Sequence, residues 1–224
     1  MALSGTFNFN LDIDDVIQEA SEMLGGEQTL GHEPKSARRS INLMLKDWQN
    51  RGILLWSTET TAVTVVASVT SYELSDSTID ALQVIINRDN SDIAATRISF
   101  EEYLQIPAKS QTGRATQYSI KRNVNNPTLF IWPIPENSTD VLKIEKISEL
   151  QDVNKSEGQN ADLPKRFLPP LTSGLAFYMG TKRPGVTAEK LSFLKSNYEE
   201  LLARALTEDS ERASIFFKPK IRVV

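Results

Sequence analysis

The sequence predicts an α+β protein: a helical bundle with an all-β insertion and an extended C-terminal tail. Apolar residues recur at helical spacing near both ends of the chain. Between them lie short runs rich in Thr, Val and Ile, and the last residues place Phe216 and Phe217 beside Pro219. Helices at both ends of a β region indicate two N-terminal and two C-terminal helices of one bundle, with the strands inserted between them.

The predicted boundaries follow these changes of pattern. The N-terminal helices of the bundle occupy residues 1–56 and the β-rich insertion 57–150. The C-terminal helices occupy 151–210, and the extended tail 211–224.

Composition limits the class of protein. The chain has 224 residues, 40% hydrophobic and 24% charged, which is typical of a globular fold. No apolar run reaches the roughly 18 residues of a membrane helix, and the N-terminus does not resemble a secretory signal. There is no cysteine, so disulfides, thiolate zinc sites and cysteine nucleophiles are excluded. A net charge of -4 argues against broad nucleic-acid binding.

The N-terminal part predicts two helices. Asp12 is a good N-cap, and Gly25-Gly26 ends the first helix. The second begins near Pro34 and closes at Arg51-Gly52. The expected buried positions are Ile13, Val16, Ile17, Ala20 and Leu24 in the first helix, and Ala37, Ile41, Met44, Leu45 and Trp48 in the second.

The middle of the chain favours strands. Pro133 and Pro135 are unsuited to a central strand, so that end should lie at an edge or outside the sheet. The predicted strands are Thr58–Val66, Tyr72–Leu74, Ala81–Asn87, Ile93–Ile98, Gln117–Lys121, Leu129–Trp132 and Val141–Ile147.

A turn, a short helix and a loop are predicted between the strands. Asp89–Asp92 predicts a turn. Ser99 should cap a short helix, Phe100–Ile106, with Glu102 completing a capping box. Gln111–Arg114 is interpreted as a loop.

The C-terminal helices leave one alternative open. Asp162 and Pro164 could start a helix, but Pro169-Pro170 removes two backbone donors. Either a short turn precedes a helix that starts near Pro169, or one helix bends there. Gly174 and Gly180 permit close helix packing.

The last helix should begin after Thr187, as its cap, and run to about Ser210. Its expected apolar face consists of Leu191, Leu194, Tyr198, Leu201, Leu202 and Ala205.

No catalytic, cofactor-binding or metal-binding residues are predicted. His32 is the only histidine, beside Gly31 and Glu33, and a loop position is the simpler interpretation. Nucleotide-binding and nucleophile motifs are absent. The adjacent pairs Glu101-Glu102 and Glu199-Glu200 fit solvated or capping groups better than an acid/base pair, because helix neighbours point about 100° apart.

Charge is unevenly distributed. Acidic residues precede the first lysine, Lys35, whereas the C-terminal end is basic. The acidic and basic ends can attract each other, within one subunit or between neighbouring subunits, although solvated faces explain them equally well. A row of Arg38, Arg39, Lys46 and Arg51 on the second helix is more simply a solvated face than a nucleic-acid site. The candidate subunit-interface or channel charges are Asp12, Asp15, Glu19, Arg38 and Arg39.

The tail cannot form a core of its own. Adjacent phenylalanines near a chain end usually stay ordered only when something covers them. We interpret the cover as another protein. The candidate docking residues are Arg212, Ile215, Phe216, Phe217, Lys218 and Pro219.

Six phrases in register carry a family resemblance: S-A-R-R-S-I-N-L-M-L-K-D-W-Q-N-R-G-I-L-L-W, A-T-R-I-S-F-E-E-Y, T-G-R-A-T-Q-Y, L-F-I-W-P-I-P, D-L-P-K-R-F-L-P-P-L-T-S-G-L-A-F and E-D-S-E-R-A-S-I-F-F-K-P. Over Ser36–Pro219 the chain resembles the head-to-tail adaptor family (tail accessory factor or connector) of tailed, mainly short-tailed, bacteriophages. It departs at Ala115, where the family has proline, and at Ala67-Ser68, where a glycine usually makes the first hairpin turn.

The resemblance implies a structural protein of the virion neck, assembled in the host cytoplasm. Such adaptors form a homo-oligomeric ring of twelve copies under the portal protein. They help to retain packaged DNA, which passes through the channel without sequence-specific binding, and they offer a platform to tail nozzle or tail tube proteins. No membrane partner or cofactor is implied. The alternatives are a virion-associated cell-wall hydrolase, motivated only by the many carboxylates, and a tail-tube or head-completion protein.

Overall fold

The computed structural model confirms a mixed α+β chain. It describes residues 9–26, 33–53, 56–154 and 160–209. Within these ranges it contains five α-helices and ten strands. The chain divides into two compact units: unit 1, Met1–Leu45 with Asp152–Val224, and unit 2, Lys46–Gln151.

Both predicted N-terminal helices are confirmed. Helix α1 (Ile13–Met23) begins at Asp12, whose side chain accepts a hydrogen bond from the Asp15 backbone N–H at 2.8 Å. Helix α2 spans Glu33–Asn50. All ten predicted stripe residues of α1 and α2 are at most 8% exposed, so the helical periodicity identified the buried faces correctly.

The alternative at Pro169-Pro170 is resolved in favour of a short turn. A 3₁₀ turn (Lys165–Phe167) precedes helix α4 (Leu168–Gly180). Both prolines then fall in the first turn of α4, where their missing N–H groups need no partner. Asp162 does not cap α4, because Phe167 occupies the N-cap position.

Helix α5 (Ala188–Asp209) begins where the sequence predicts. The Thr187 hydroxyl accepts a hydrogen bond from the Lys190 backbone N–H at 3.3 Å. Helices α1 and α5 both pack on α4. Of the predicted apolar face of α5, four residues are buried and two are half-buried, Leu191 and Leu201.

Gly174 brings α4 close to its neighbours. A Cβ at this position would lie 2.6 Å from Met44 Sδ and 2.8 Å from Tyr198 Cε2. Those separations are too short for a side chain, so the prediction of close packing at this glycine is confirmed.

Unit 2 is built from two four-stranded sheets, ordered β1-β10-β3-β4 and β2-β8-β7-β5, with a two-stranded pair β6-β9. The strands are β1 Thr58–Thr64, β2 Ser71–Glu73, β3 Thr78–Arg88, β4 Ser91–Ala94, β5 Thr96–Arg97, β6 Thr112–Gly113, β7 Gln117–Lys121, β8 Thr128–Trp132, β9 Ile134–Pro135 and β10 Val141–Ser148. Helix α3 (Phe100–Gln105) lies between β5 and β6 in the chain.

The two large sheets share one hydrophobic core. Buried and partly exposed residues alternate along β8 and along most of β10, as expected when one face of a sheet is buried. The core residues are Val65, Leu74, Ala81, Val84, Ile86, Ala115, Tyr118, Leu129, Ile131, Leu142 and Ile144. The Tyr118 hydroxyl donates to the Leu82 carbonyl at 3.1 Å, so this buried hydroxyl is satisfied.

The single strand predicted over Ile93–Ile98 is wrong. The Ala95 N–H donates to the Val84 carbonyl of the first sheet at 2.8 Å, and the Thr96 N–H donates to the Thr116 carbonyl at 2.8 Å. The chain therefore crosses from one sheet to the other at Ala95, which divides the segment into β4 and β5.

Two further local predictions were partly wrong. The turn after β3 is shorter than predicted: Asp89 and Asn90 have φ of 52° and 63°, and Ser91 already belongs to β4. The predicted loop 111–114 contains β6, which pairs in parallel with β9. Since β9 lies outside both large sheets, the placement predicted for Pro135 is confirmed.

The predicted capping box of α3 is confirmed. The Ser99 hydroxyl accepts from the Glu102 N–H at 3.1 Å, and the Glu102 carboxylate accepts from the Ser99 N–H at 2.8 Å. At Ala67-Ser68 the resemblance led us to expect a glycine. Ser68 adopts a φ of 65°, a left-handed conformation that favours glycine.

Candidate subunit interface

The exposed side of α1 carries free carboxylates. Asp15 and Glu19 are both exposed, and neither forms an ion pair within the described residues. Residues four apart share one helix face, so these two carboxylates lie side by side. Asp12, the third acidic candidate, serves as the N-cap. We call Asp15 and Glu19 the acidic face of α1.

Arg38 is held inside its own unit. Its Nη2 lies 2.5 Å from Asp14 Oδ1, and its side chain is 18% exposed. Its buried Nε has no hydrogen-bond partner in the part of the chain that the structure describes. Asp14 therefore neutralises Arg38 and orients its guanidinium.

Beside Arg38 lies a cavity of about 400 Å³, lined by Lys35, Arg38, Arg39, Asn42, Val153 and Asn154. No carboxylate lines it. Lys35 and Arg39 are exposed and make no ion pair across residues 9–26, 33–53, 56–154 and 160–209. We call this the cationic cavity, and its two free charges lie on one face of α2.

Asn42 builds the wall of the cationic cavity. Its Nδ2 donates to the Val153 carbonyl at 3.3 Å, and its Oδ1 accepts from the Val153 N–H at 2.9 Å. Both polar groups of one backbone residue are thus satisfied by one side chain. Sequence reasoning did not identify Asn42 or Val153, because 111 positions separate them and no local signal links them.

The cationic row predicted along α2 is largely neutralised. Arg38 pairs with Asp14, Lys46 forms an ion pair with Glu149, and Arg51 lies 2.6 Å from Asp47. Of the row only Arg39 keeps a free charge within the described chain. A protein needs several phosphate contacts for strong DNA binding, so the row is a poor DNA site.

Three of the four carboxylates in the adjacent pairs have structural partners, and the fourth, Glu101, is exposed. The backbone hydrogen bond from Ser99 lowers the pKa of Glu102. Glu199 lies 3.9 Å from Lys195, and Glu200 pairs with Arg204. Among the described residues, no group of three or more His, Cys, Asp or Glu side chains could hold a metal ion, and no helix is long and apolar enough to cross a membrane.

A buried ion pair in unit 2 is complete without a ligand. Asp140 is 3% exposed and accepts from Arg88 Nε and Nη2, each at 2.8 Å. Arg88 also donates to Glu136 at 2.7 Å. The hydrogen bonds from Arg88 lower the pKa of Asp140 despite burial, so this network holds strand ends together rather than binding a partner.

The predicted docking residues Arg212, Ile215, Phe216, Phe217, Lys218 and Pro219 lie outside the described residues, as does His32. The candidate site that the structure describes therefore consists of the acidic face of α1 and the cationic cavity of α2.

Comparison with known proteins supplies the family. No curated protein matches the chain. The family model described as SU10 adaptor protein matches residues 11–218, which covers both units. The chain therefore belongs to the SU10 adaptor protein family, and it is a structural phage protein of the virion that associates with other phage head or tail proteins.

Proposed function

We propose that the chain is the head-to-tail adaptor of a tailed phage with a short tail. Twelve copies form a ring on the portal, help to retain the packaged DNA in the neck, and present a platform for the tail nozzle or tail tube. The ring assembles in the host cytoplasm. The observation that carries this proposal is the adaptor-family match over residues 11–218.

Each part of the chain has a role in the proposal. Helices α1, α2, α4 and α5 form the bundle of the ring, corresponding to residues 1–56 and 151–210. The β sandwich, 57–150, is the insertion, and 211–224 is the tail that docks on the portal. The packing of α1 and α5 on α4 supports a bundle. The apolar and basic composition of the tail supports docking on a foreign surface.

Deletion of residues 211–224 tests the docking role. The truncated chain should fold with the wild-type circular dichroism spectrum but no longer co-sediment with portal rings. The double variant Phe216→Ser/Phe217→Ser should lose most of the same binding, because it removes the apolar anchors and keeps every charge. Full portal binding by the truncated chain would remove the basis for the docking tail.

Particles made without the protein separate a neck adaptor from a tail-tube or head-completion protein. The proposal expects filled heads that carry no tails, or heads that have lost their DNA, in negative-stain images. Empty procapsids, or heads with complete tails, would contradict it. Images of the purified chain, alone and mixed with portal, would show whether the ring has twelve copies.

A further inference from the structure

We propose that the cationic cavity of α2 receives the acidic face of α1 from the next copy of the chain. The inference rests on the proposed function, since it assumes that copies associate head to tail. It assigns the two contacting surfaces: Asp15 and Glu19 on one copy, and Lys35 and Arg39 on its neighbour.

The two surfaces match in charge and spacing. Each presents two like charges four residues apart on a helix, which is about 6 Å along the helix axis. One acidic pair can therefore face one cationic pair with both ion pairs formed at once. All four side chains lack an ion-pair partner within the described residues, so the contact breaks none of the ion pairs described above.

The cavity is held in shape before a partner arrives. Asp14 orients Arg38 at 2.5 Å, and Asn42 binds both backbone groups of Val153. A preformed receptor loses little conformational entropy on binding. Carboxylates entering the cavity would also approach the guanidinium of Arg38, whose Nε has no partner in the described chain.

The contact is heterologous, because the donating and receiving surfaces are different parts of one chain. Such contacts add copies in one direction and close into a ring when the rotation between copies permits it. An isologous dimer would instead use both surfaces of both copies at once, so it would stop at two copies.

Carboxylates suit this cavity better than DNA phosphates. Two free cations neutralise too few phosphates to bind a duplex at physiological salt. The whole chain is acidic, with a net charge of -4, and this charge opposes DNA. Asp15 and Glu19 on α1 supply one carboxylate for each free cation of the cavity, which argues for a second copy of the chain.

Reciprocal charge reversal is the test. The full chain is prepared as the acidic-face variant Asp15→Lys/Glu19→Lys and as the cavity variant Lys35→Glu/Arg39→Glu. Each alone should associate on the order of tenfold to a hundredfold more weakly than wild type in sedimentation at low salt. Mixed in equal amounts, they should assemble again with strict alternation, because every contact in the mixed ring pairs opposite charges.

A matched control separates local contact from net charge. Glu73→Lys/Glu101→Lys changes the net charge as much as the acidic-face variant does, at exposed positions of unit 2. This control should associate like wild type. Equal weakening by the control would mean that only overall charge matters and would overturn the proposal.

The absence of cysteine permits a second readout. Glu19→Cys chains mixed with Arg39→Cys chains should form a disulfide-linked dimer under mild oxidation, whereas each variant alone should not. No cross-link from Glu19→Cys to either Arg39→Cys or Lys35→Cys, in solution or on portal rings, would overturn the assignment. The cavity variant gives a second such outcome. If it assembles normally but no longer binds DNA, the cavity is a DNA site and the assignment is overturned.

The two proposals fail separately. If the adaptor attaches to portals and assembles there regardless of the reversals, the assigned surfaces are wrong and the proposed function stands. If the wild-type chain never attaches to portal rings, the proposed function itself fails.

Discussion

Gly174 offers the sharpest test of the packing in unit 1, through the substitution Gly174→Ala. The added methyl group would lie 2.6 Å from Met44 Sδ and within 2.9 Å of two ring carbons of Tyr198. Met44 is 0% and Tyr198 3% exposed, so neither can move into solvent. The substitution must therefore push apart buried neighbours.

Two opposing effects set the magnitude. Alanine favours a helix by about 1 kcal/mol relative to glycine. Overpacking of a tight core costs roughly 1 to 3 kcal/mol. The upper part of that range applies here, because the tyrosine ring is rigid and two neighbours clash at once. We therefore expect a net loss of about 2 kcal/mol in the free energy of unfolding.

Urea denaturation followed by circular dichroism at 222 nm measures this loss. Gly180→Ala is the matched control, since the same change in the same helix meets only leucine methyl groups, at 3.0 and 3.1 Å. Those ends can shift, so the control should stay within about 0.5 kcal/mol of wild type. A Gly174→Ala protein as stable as wild type would refute the packing argument.

Two further predictions concern unit 2. Asp140→Asn should lower the free energy of unfolding by about 2 to 3 kcal/mol. Breaking a fully buried pair costs roughly 3 to 5 kcal/mol. The loss should be smaller here because Arg88 is 22% exposed and retains its ion pair with Glu136. The fold lowers the pKa of Asp140, so its contribution is complete above the unfolded pKa near 3.9 and is lost as pH falls through the folded value. Wild type should therefore lose stability more steeply than Asp140→Asn below about pH 4, and parallel urea titration curves would contradict this. Ser68→Gly should raise the free energy of unfolding by about 1 kcal/mol, since it relieves a left-handed φ; equal urea midpoints would show that the turn is unstrained.

The helices were predictable because their signals are local. Asp12, Ser99 and Thr187 cap the helices that follow them, and a spacing of three or four residues marks each buried stripe. Each of these signals lies within a few residues of the structure it specifies. The mixed α+β class follows from the same local patterns.

The features missed from the sequence depend on distant partners. Strand β6 is two residues long and exists only because β9 lies beside it. The crossing at Ala95 depends on a carbonyl of β3 and on one that precedes β7. Asn42 likewise shapes the cavity only through its hydrogen bonds to Val153, which is 111 positions away in the sequence. Sequence patterns identify the buried face and the ends of a helix. They do not identify which distant backbone carbonyl will accept a hydrogen bond.

The order of the two units along the chain has a consequence for synthesis on the ribosome. Every residue of the sandwich core lies between Val65 and Ile144, so that core is complete once a continuous stretch has emerged. Helix α1 must instead wait for α4, whose residues begin at 168. A nascent chain thus exposes the apolar stripe of its first helix throughout translation of the sandwich. The cationic cavity also lacks one wall until Val153 and Asn154 are made, which delays any contact between copies through this cavity until well after the sandwich has been translated.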